Sequence, residues 1–500
     1  MHYIDVNDYF AEGVKKFNSA QDGTSGERDI ADAERIFNEI LNVNPGATGV
    51  LCMLGSIQAT RGHHALAISI LGQVVQADPK NFDAWNNMGI AWKCLNKNDQ
   101  ANHCFRKAAK LCPDTSKAAT YSNIAASSLN CGRAADAKEW GAKAIEADPA
   151  FPKGYWHHGM ACLELREWRE GWIGHEYRLR GGSSQSQEIA CRNYHKTGVT
   201  PWWDGDVAEF KSANGRPPLI AVHGEEGIGD EIMFASCLPD LIAMGADVVV
   251  EPHPRLGNLF KRSFPKAHVF GTHKTDGSEW IKDLGIPDFK IALGSLPLFF
   301  RNSDAEFPGK PYLVPDPEMV AICRQKLGFL AKGKPNIGIT WQGGIETTRF
   351  DARSFHPSLY KPLFGTIDAN WISLQYDQTA EACAKRAEED TGVKLHHWHD
   401  WVGMKANVDR TASLISTLDL VITVCQTAVH ISGALGVPTL VLTPSQPNWR
   451  YGNVKAETMP WYSSVRLLRQ EPGTMDWAPV IDRAAVEAGN MLKIIKVAAR

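Results

Sequence analysis

The sequence predicts an α-helical repeat solenoid followed by two consecutive α/β domains, and two observations predict this fold class. First, four prolines recur at nearly constant spacing: Pro45, Pro79, Pro113 and Pro149 are 34, 34 and 36 residues apart. Second, from about residue 217 short β-rich runs alternate with helical stretches, which is typical of parallel sheets covered by helices. A period of about 34 residues is that of the tetratricopeptide repeat (TPR), a helix pair that stacks into a solenoid.

Three repeats carry this pattern well, and the second one shows it best. Apolar residues such as Met88 lie three or four positions apart, which places them on one face of a first helix. The small Gly89 in this helix and Ala101 in the next allow the two helices to approach closely, and Pro113 ends the second helix. A degenerate repeat precedes these three, and a further one begins at Tyr155 before the pattern changes.

The chain is therefore divided into four segments. Residues 1–182 are predicted to form the TPR domain, 183–216 a linker, 217–330 a first Rossmann-like domain, and 333–500 a second one that ends in a helix at roughly 477–496. This last helix could pack back across the first α/β domain. Two such doubly wound domains leave a cleft between the carboxyl ends of their strands, where α/β proteins usually bind ligands.

The strands of both α/β domains are predicted from short runs rich in β-branched and aliphatic residues. Helices are expected between them, at 231–244 and 256–264 in the first domain. The predicted strands are Leu219–Val222, Val248–Glu251 and Val269–Phe270 in the first domain, and Ile337–Thr340, Trp371–Leu374, Leu420–Val424 and Thr439–Thr443 in the second.

Composition narrows the range of functions. A net charge of -3 gives no reason to expect a nucleic-acid or anionic-membrane partner. No apolar run approaches the roughly 20 residues that span a bilayer, and the polar start Met1–Asp5 is not typical of a signal peptide. The 11 cysteines include no Cys-x-x-Cys pair and indicate reduced thiols. We therefore expect a cytoplasmic protein.

The first chemical signal is a glycine-rich turn, His223–Glu231, directly after the first predicted strand. Gly227 and Gly229 allow close approach to the N–H groups at a helix start, which ordinarily suits an anion. The carboxylates around the turn would repel a pyrophosphate, so a dinucleotide site is not expected. A carboxylate at the mouth of a cleft can act as a general base instead, or it can simply complement the positive end of the helix dipole. These carboxylates are Glu225, Glu226, Asp230 and Glu231.

The second signal is the turn after the strand that ends near Cys425. A helix starts there. The side chains of Gln426 and Thr427, together with the first N–H groups of this helix, are expected to form a phosphate-binding site. His430 lies one turn further and could reach the same ligand. The alternative from this segment alone is a capped helix with a hydrogen-bonded histidine.

Taken together, these pieces resemble a known family. Their order and spacing are similar to those of bacterial TPR glycosyltransferases related to the lipopolysaccharide heptosyltransferases, which form glycosyltransferase family 9 and have the GT-B fold of two Rossmann-like domains. The family often has Asp-Thr where this chain has Cys425 and Gln426. The similar segments include Trp168–Trp172, Trp202–Gly205, Gly224–Asp230, Gly338–Gly343, Arg353–Ser354, His430–Pro438 and Trp449–Tyr451.

The resemblance implies a GT-B fold and an inverting, metal-independent glycosyltransferase with a nucleotide-activated sugar as donor substrate and no cofactor. It implies that Asp230 is the catalytic base and that the nucleotide binds to the C-terminal domain. Helix N–H groups and cations would stabilise the departing nucleotide. Trp449 either stacks on the nucleobase or is packed under a loop. The implied donor-binding residues are Gly227, Gly229, Trp341, Arg349, Arg353, Gln426, Thr427, His430 and Trp449.

Three functions remain open from the sequence. The chain can be a glycosyltransferase whose TPR domain presents a protein acceptor such as a surface or flagellar subunit. It can act on a glycan or a lipid-linked acceptor, or it can be a catalytically silent scaffold, which Cys425 makes conceivable. The sugar, be it a hexose, heptose or nonulosonic acid, is not determined. His396, His397 and His399 are close in sequence, but without a nearby cysteine we do not predict a metal site.

Overall fold

The chain divides into two units, Met1–Ala161 and Cys162–Arg500. The boundary falls earlier than the end of the TPR domain expected at residue 182, because Trp168 and Trp172 contact residues of the α/β region. The computed structural model describes residues 6–21, 26–181, 194, 199–225, 227–273, 278–344, 350–402, 407–453, 455–471 and 473–498.

The first unit is a TPR-like solenoid of successive helix pairs. A Cβ on Gly55 would lie 2.6 Å from Cγ of Leu71, and one on Gly89 would lie 2.6 Å from Cε1 of Phe105, so the paired helices pack as closely as the sequence predicts. The helices are α1 (Val6–Gln21), α2 (Gly26–Val43), α3 (Thr48–Thr60), α4 (His64–Ala77), α5 (Phe82–Cys94), α6 (Asn98–Ala109), α7 (Lys117–Asn130) and α8 (Ala134–Ala147), followed by α9 (Pro152–Glu164), in which the boundary falls.

The second unit contains two parallel sheets. The strands of the first are β1 (Leu219–His223), β2 (Asp247–Glu251), β3 (His268–Val269) and β4 (Phe289–Ala292). The strands of the second are β5 (Asn336–Ile339), β6 (Asn370–Ser373), β7 (Leu395–His397), β8 (Leu420–Val424), β9 (Thr439–Thr443), β10 (Thr458–Met459) and β11 (Tyr462–Arg469).

Fifteen further helices accompany these sheets in the described residues. They are α10 (Trp168–His175), α11 (Arg178–Gly181), α12 (Ala208–Asn214), α13 (Ile228–Phe234), α14 (Leu238–Ala243), α15 (Gly257–Ser263), α16 (Ile281–Leu284), α17 (Pro297–Phe300), α18 (Pro317–Leu327), α19 (Lys361–Thr366), α20 (Ala380–Thr391), α21 (His399–Val402), α22 (Val408–Ile415), α23 (Thr427–Leu435) and α24 (Ala478–Ala498).

The first sheet has the order β3-β2-β1-β4, and all its pairs are parallel. The second has the order β10-β11-β9-β8-β5-β6-β7, in which only the β10–β11 pair is antiparallel. The order reverses between β1 and β4 in the first sheet and between β5 and β8 in the second. Each sheet therefore has one position where successive crossovers run in opposite directions, which is where open α/β sheets bind ligands.

The C-terminal helix packs against the second sheet. The ring centroids of Trp477 and Phe355 are 5.1 Å apart, and Ile481 and Ala484 are buried with the second sheet's Ile337 in one hydrophobic cluster. The suggestion that this helix covers the first α/β domain is wrong, because its apolar face is buried in the core of its own domain. Among the described residues, none of the helices combines the length and the apolar character needed to span a membrane.

The helix predicted at 231–244 is interrupted. It consists of α13, a short 3-10 helix at Ala235–Cys237, and α14. Pro239 in the first turn of α14 has no N–H to continue the preceding hydrogen-bond ladder, which explains the break.

Candidate functional site

The carboxyl ends of β5 and β8 form the crevice of the second sheet. The strand order reverses here, with β6 beyond β5 and β9 beyond β8. The two loops that follow these strands approach closely, since a Cβ on Gly343 would lie 2.5 Å from the carbonyl oxygen of Cys425. Glycine at position 343 thus lets both loops line one crevice.

Helix α23 starts at this crevice with unusual polar groups. Its N-cap residue Gln426 makes no capping hydrogen bond within the described part of the chain, and neither Nε2 nor Oε1 of its buried amide has a partner there. The residue is only 8% exposed. A buried amide without partners is costly, and a ligand can satisfy it. With the first N–H groups of α23, Gln426 and Thr427 suit an anion.

The glycine-rich turn of the first α/β domain lies against the start of α23. A Cβ on Gly229 would lie 3.0 Å from Cδ2 of His430 and 3.5 Å from Cα of Thr427. Helices α13 and α23 therefore meet with almost no side chain between them. The two motifs identified in the sequence, although far apart along the chain, form one site.

Asp230 faces a cation from the second domain across this contact. Its Oδ1 is 2.5 Å from Nε of Arg450, and the two side chains are 22% and 11% exposed. The guanidinium carbon of Arg450 lies 4.9 Å from the ring centroid of Trp449, a cation–π distance. The other carboxylate oxygen, Oδ2, faces Gly227, since a Cβ on this glycine would lie 3.5 Å from it.

The other described carboxylates of the turn have partners of their own. Glu225 is paired with the buried Arg178, and Oε2 of Glu231 accepts a 2.8 Å hydrogen bond from the backbone N–H of His253. Asp230 is paired with Arg450, so the charges of Glu225 and Asp230 are compensated by arginines, whereas Glu231 accepts its hydrogen bond from a neutral N–H group. The repulsion of an anionic ligand expected from the sequence is therefore weakened at Glu225 and Asp230.

His430 is a neutral group at this site. Its Nδ1 is 3.1 Å from the hydroxyl oxygen of Tyr462. Burial, with a smaller effect of the nearby Arg450 charge, lowers the pKa of His430 to about 3. The ring is therefore uncharged near pH 7, and it can contribute a hydrogen bond or packing to a ligand but no positive charge.

Trp341 stands at the end of β5 with its ring fully buried in the core of the second sheet. Its indole Nε1 is buried without a hydrogen-bond partner. Gln375, which the sequence analysis missed, organises this loop: its Oε1 accepts hydrogen bonds of 3.1 Å from the backbone N–H groups of Trp341 and Gln342. Gln375 could have been found from the sequence, because it is an amide directly after a predicted strand and therefore lies at the same sheet edge as Trp341.

Arg353 belongs to the same crevice. Its positive charge acts on the hydroxyls of Tyr376 and Tyr451, and burial raises the pKa of both tyrosines. Tyr451 also interacts electrostatically with Arg450 and Asp230, which places Arg353 close to the contact between the domains. Two other residues singled out in the sequence, Arg349 and Glu226, lie outside the described residues.

Trp449 is buried among other aromatic rings. It meets Trp172 edge-on at a centroid distance of 5.6 Å and His175 at 6.0 Å, and it is only 8% exposed. Together with the cation–π contact to Arg450, these neighbours match the packing alternative for Trp449 and account for its position without a nucleobase.

The corresponding crevice of the first sheet is filled by Arg178. Its Nε donates a 3.0 Å hydrogen bond to Oε2 of Glu225, and its terminal nitrogens donate to Oγ of Ser295 at 3.0 Å and to Glu176 at 2.8 Å. Glu225 also accepts a 2.8 Å bond from the backbone N–H of Gly294, in the loop after β4. Both members of the ion pair are 1% exposed. A side chain of the protein thus occupies the position of a ligand.

The sequence analysis gave no role to two polar residues at the end of β11. Arg469 donates from one terminal nitrogen to the carbonyl oxygens of Tyr451 and Ala456, at 3.0 and 3.4 Å, but its buried Nε and other terminal nitrogen have no partner among the residues that the structure describes. Gln470 accepts a 3.3 Å hydrogen bond from the N–H of Ser445, while its buried Nε2 has no partner in the same described residues. Because β11 was not predicted, its end was not recognised as part of the crevice.

Fold and site define a TPR-like repeat protein with a second unit of two parallel sheets. No protein-family model matches the chain. It is similar to Protein FlbA of Caulobacter vibrioides, with 27% identity over 495 residues that cover 91% of this chain and 81% of that protein.

Other similarities concern the repeats. A stretch of 82 residues is 28% identical to Tetratricopeptide repeat protein 7A of Homo sapiens, covering 16% of this chain and 10% of that protein. The crystal structure of MamA protein aligns over 39% of this chain and 98% of its own, with 21% identity and a TM-score of 0.30. The TPR-like character of the first unit therefore rests on its own helix pairs and repeat spacing.

Proposed function

We propose that the protein is an inverting glycosyltransferase with two GT-B-type domains, which transfers a sugar from a nucleotide-activated donor to a polypeptide held by its TPR domain. The observation that supports this function best is the meeting of two turns. Gly229, which precedes the carboxylate Asp230 in the turn of one α/β domain, lies against Thr427 at the start of α23 in the other, and Asp230 pairs with Arg450 of that other domain.

The second domain provides the donor side. When the bond between the sugar and the nucleotide breaks, negative charge develops on the departing phosphate oxygen. Arg353, Arg450 and the N-terminus of α23 supply positive charge and N–H donors at this crevice. Guanidinium and helix N–H groups can stabilise the departing phosphate without a metal ion, so the proposed mechanism is metal-independent.

The first domain provides the base. Asp230 takes the proton of the acceptor hydroxyl while the hydroxyl oxygen attacks the anomeric carbon from the face opposite the nucleotide. The new carbon–oxygen bond forms as the bond to the phosphate oxygen breaks, and the nucleotide leaves with the electron pair. Configuration at the anomeric carbon is therefore inverted.

The TPR-like unit offers a groove for the polypeptide. The groove has a volume of about 620 Å³ and is lined by apolar side chains such as Met53 and Ile90 next to polar ones such as Asn81 and Asn87. Asn87 donates a 2.7 Å hydrogen bond to Oγ of Ser56 on the neighbouring helix. Mixed apolar and amide lining suits an extended peptide, whose backbone needs hydrogen-bond partners and whose side chains need apolar contacts.

A nucleotide-sugar screen on the full chain tests this proposal. A cognate donor at 100 times its dissociation constant should stabilise the folded protein by about 2.7 kcal/mol and raise its melting temperature. Incubation with that donor and a candidate protein acceptor should release nucleotide and add the mass of one sugar to the acceptor. If no nucleotide sugar stabilises the chain, the transferase proposal is wrong. Transfer only to glycans or lipid-linked sugars would overturn the polypeptide acceptor instead.

A further inference from the structure

We propose that Arg469 and Gln426 together hold the phosphate group of the donor, at the carboxyl ends of β11 and β8. The inference rests on the proposed function for the identity of the ligand. The evidence for an anion at this position is independent of it, because it consists of buried donors whose partners are missing among the described residues.

Arg469 is a half-buried cation with two buried guanidinium nitrogens, and the described residues leave it incompletely compensated. Its Nε and one terminal nitrogen have no hydrogen-bond partner, and the other terminal nitrogen donates only to backbone carbonyls, those of Tyr451 and Ala456. Burial lowers the pKa of Arg469, because the charged form loses hydration. A guanidinium nevertheless remains protonated in proteins, so it needs an anion or water at its unfilled N–H groups.

Glu164 is the carboxyl group that interacts with Arg469 electrostatically. It is 6% exposed, and burial raises its pKa to about 7, although the charge of Arg469 acts in the opposite direction. Near neutral pH the carboxyl is therefore only partly ionised. It does not form an ion pair with Arg469 within the described residues, and the positive charge of Arg469 persists at the crevice.

Gln426 lies at the same sheet edge as this cation: Arg469 at the end of β11 is opposite Thr443 of β9, and Val424 at the end of β8 is opposite Leu442 of β9. The thiol of Cys425, its immediate neighbour, interacts electrostatically with Arg469 and with Tyr451, whose carbonyl oxygen accepts the hydrogen bond from Arg469. The buried amide of Gln426 and the guanidinium of Arg469 thus add side-chain donors to the N–H groups at the start of α23.

A phosphate matches this set of groups. Its oxygens only accept hydrogen bonds, and the planar fork of a guanidinium binds two of them at once. The departing phosphate must also lie near the base, and Thr427 at the start of α23 is next to Gly229 in the turn that carries Asp230. Arg450 is paired with Asp230, so Arg469 supplies a charge that is not shared with the catalytic carboxylate.

Calorimetry with inorganic pyrophosphate on the full chain tests the assignment. We expect saturable binding to the wild type and about 100-fold weaker binding to Arg469→Gln, because a charged, forked contact is lost. Arg469→Lys should bind with intermediate affinity, since an ammonium keeps the charge without the fork. Arg466→Gln is the matched control: Arg466 is on the same strand, 58% exposed and paired with Glu487, and its variant should bind like the wild type.

A second variant keeps the test informative if Arg469→Gln does not fold. Gln426→Glu has the same shape but places a carboxylate at the start of α23, where it is favourable to the helix dipole and can pair with Arg469. It should keep or raise the melting temperature and abolish pyrophosphate binding. A wild type that does not bind pyrophosphate, or variants of both positions that bind it normally, would overturn the inference. If these binding results hold and no nucleotide sugar is used, the anion site stands and the transferase proposal fails.

Discussion

The two parallel sheets of the second unit share a topology and differ in what occupies their crevices. In the first sheet the crevice between β1 and β4 holds the guanidinium of Arg178, with Glu225, Ser295 and Glu176 as partners. In the second sheet the crevice between β5 and β8 has the buried amide of Gln426, for which the described residues provide no hydrogen-bond partner. The same strand order thus produces a satisfied structural site in one domain and a site with unmet hydrogen bonds in the other.

This contrast indicates which of the two crevices has hydrogen-bonding groups left for a ligand. A buried guanidinium is stable when carboxylates of the same chain surround it, as for Arg178 and Glu225, and then no binding capacity remains. Arg469 lacks such a partner among the described residues, so the free energy that an anion would gain there is still available. Nucleotide binding is therefore expected in the second domain, and three experiments test the contrast between the two sheets.

We expect the largest effect on stability at the crevice of the first sheet, which Arg178 fills. Arg178→Gln should lower the free energy of unfolding of the second unit by about 3–5 kcal/mol, because it leaves the fully buried Glu225 without its cation. Urea unfolding followed by tryptophan fluorescence measures this change. Arg178→Met combined with Glu225→Leu should be less destabilised than Arg178→Met alone, since no unpaired charge remains.

Arg216→Gln is the control for this experiment. Arg216 is paired with Asp288 in the same domain at 2.7 Å, but its side chain is 56% exposed, so its loss should cost at most about 1 kcal/mol. If Arg178→Gln were as stable as Arg216→Gln, the first crevice would not be held by its ion pair, and the contrast between the sheets would fail.

The second prediction concerns how the stability of the protein depends on pH through Glu164, the carboxyl group that interacts with Arg469. Burial raises the pKa of Glu164 to about 7 from an ordinary value of 4.5, so the folded protein holds a proton that the unfolded chain has already released in this range. The stability of the wild type should therefore fall as the pH rises from 4.5 to 7. Relative to Glu164→Gln, the loss should be about 3 kcal/mol by pH 8, from the size of the pKa shift.

Urea unfolding of both proteins at pH 4.5 and pH 8 gives the comparison. The two should be similar in stability at pH 4.5, where Glu164 is protonated in the folded protein and about half protonated in the unfolded chain. A constant difference between them at both pH values would mean that Glu164 is ionised in the folded protein and compensates Arg469.

The third prediction concerns Asp230, which lies where the two α/β domains meet. Asp230→Asn should lower the turnover number by about 100-fold or more, with little change in donor affinity, because it removes the base and keeps its shape. Stability should change little, since the Asp230–Arg450 pair is partly exposed. Steady-state kinetics and calorimetry separate these effects.

Glu231→Gln is the matched control, because Glu231 follows directly in α13 and its Oε2 accepts a hydrogen bond from the N–H of His253. The fraction of Glu231→Gln protein that folds should retain its turnover number. Normal turnover by Asp230→Asn would remove Asp230 from the mechanism, and loss of turnover only in Glu231→Gln would assign the base to Glu231.

Much of the fold could be predicted from local patterns. The proline spacing and the small residues of the repeats identified the helix pairs, since Gly89 contacts Phe105 as a close helix packing requires. The strands β8 and β9 have the predicted bounds, Leu420–Val424 and Thr439–Thr443, because each is a continuous apolar run ended by polar residues. The strand β11 was missed, since exposed polar residues interrupt its pattern.

The sequence predicted the turns that form the candidate site, but it did not predict which of the charged groups there are paired. Local patterns were enough to predict that two glycine- or hydroxyl-containing turns follow buried strands, since strand ends and helix starts are local features. The packing of the chain was needed to show that Glu225 is neutralised by Arg178, that Asp230 meets Arg450, and that Arg469 has no carboxylate partner among the described residues. The physical reason is that pairing of charges and burial of donors depend on side chains far apart in the sequence, which only packing brings together.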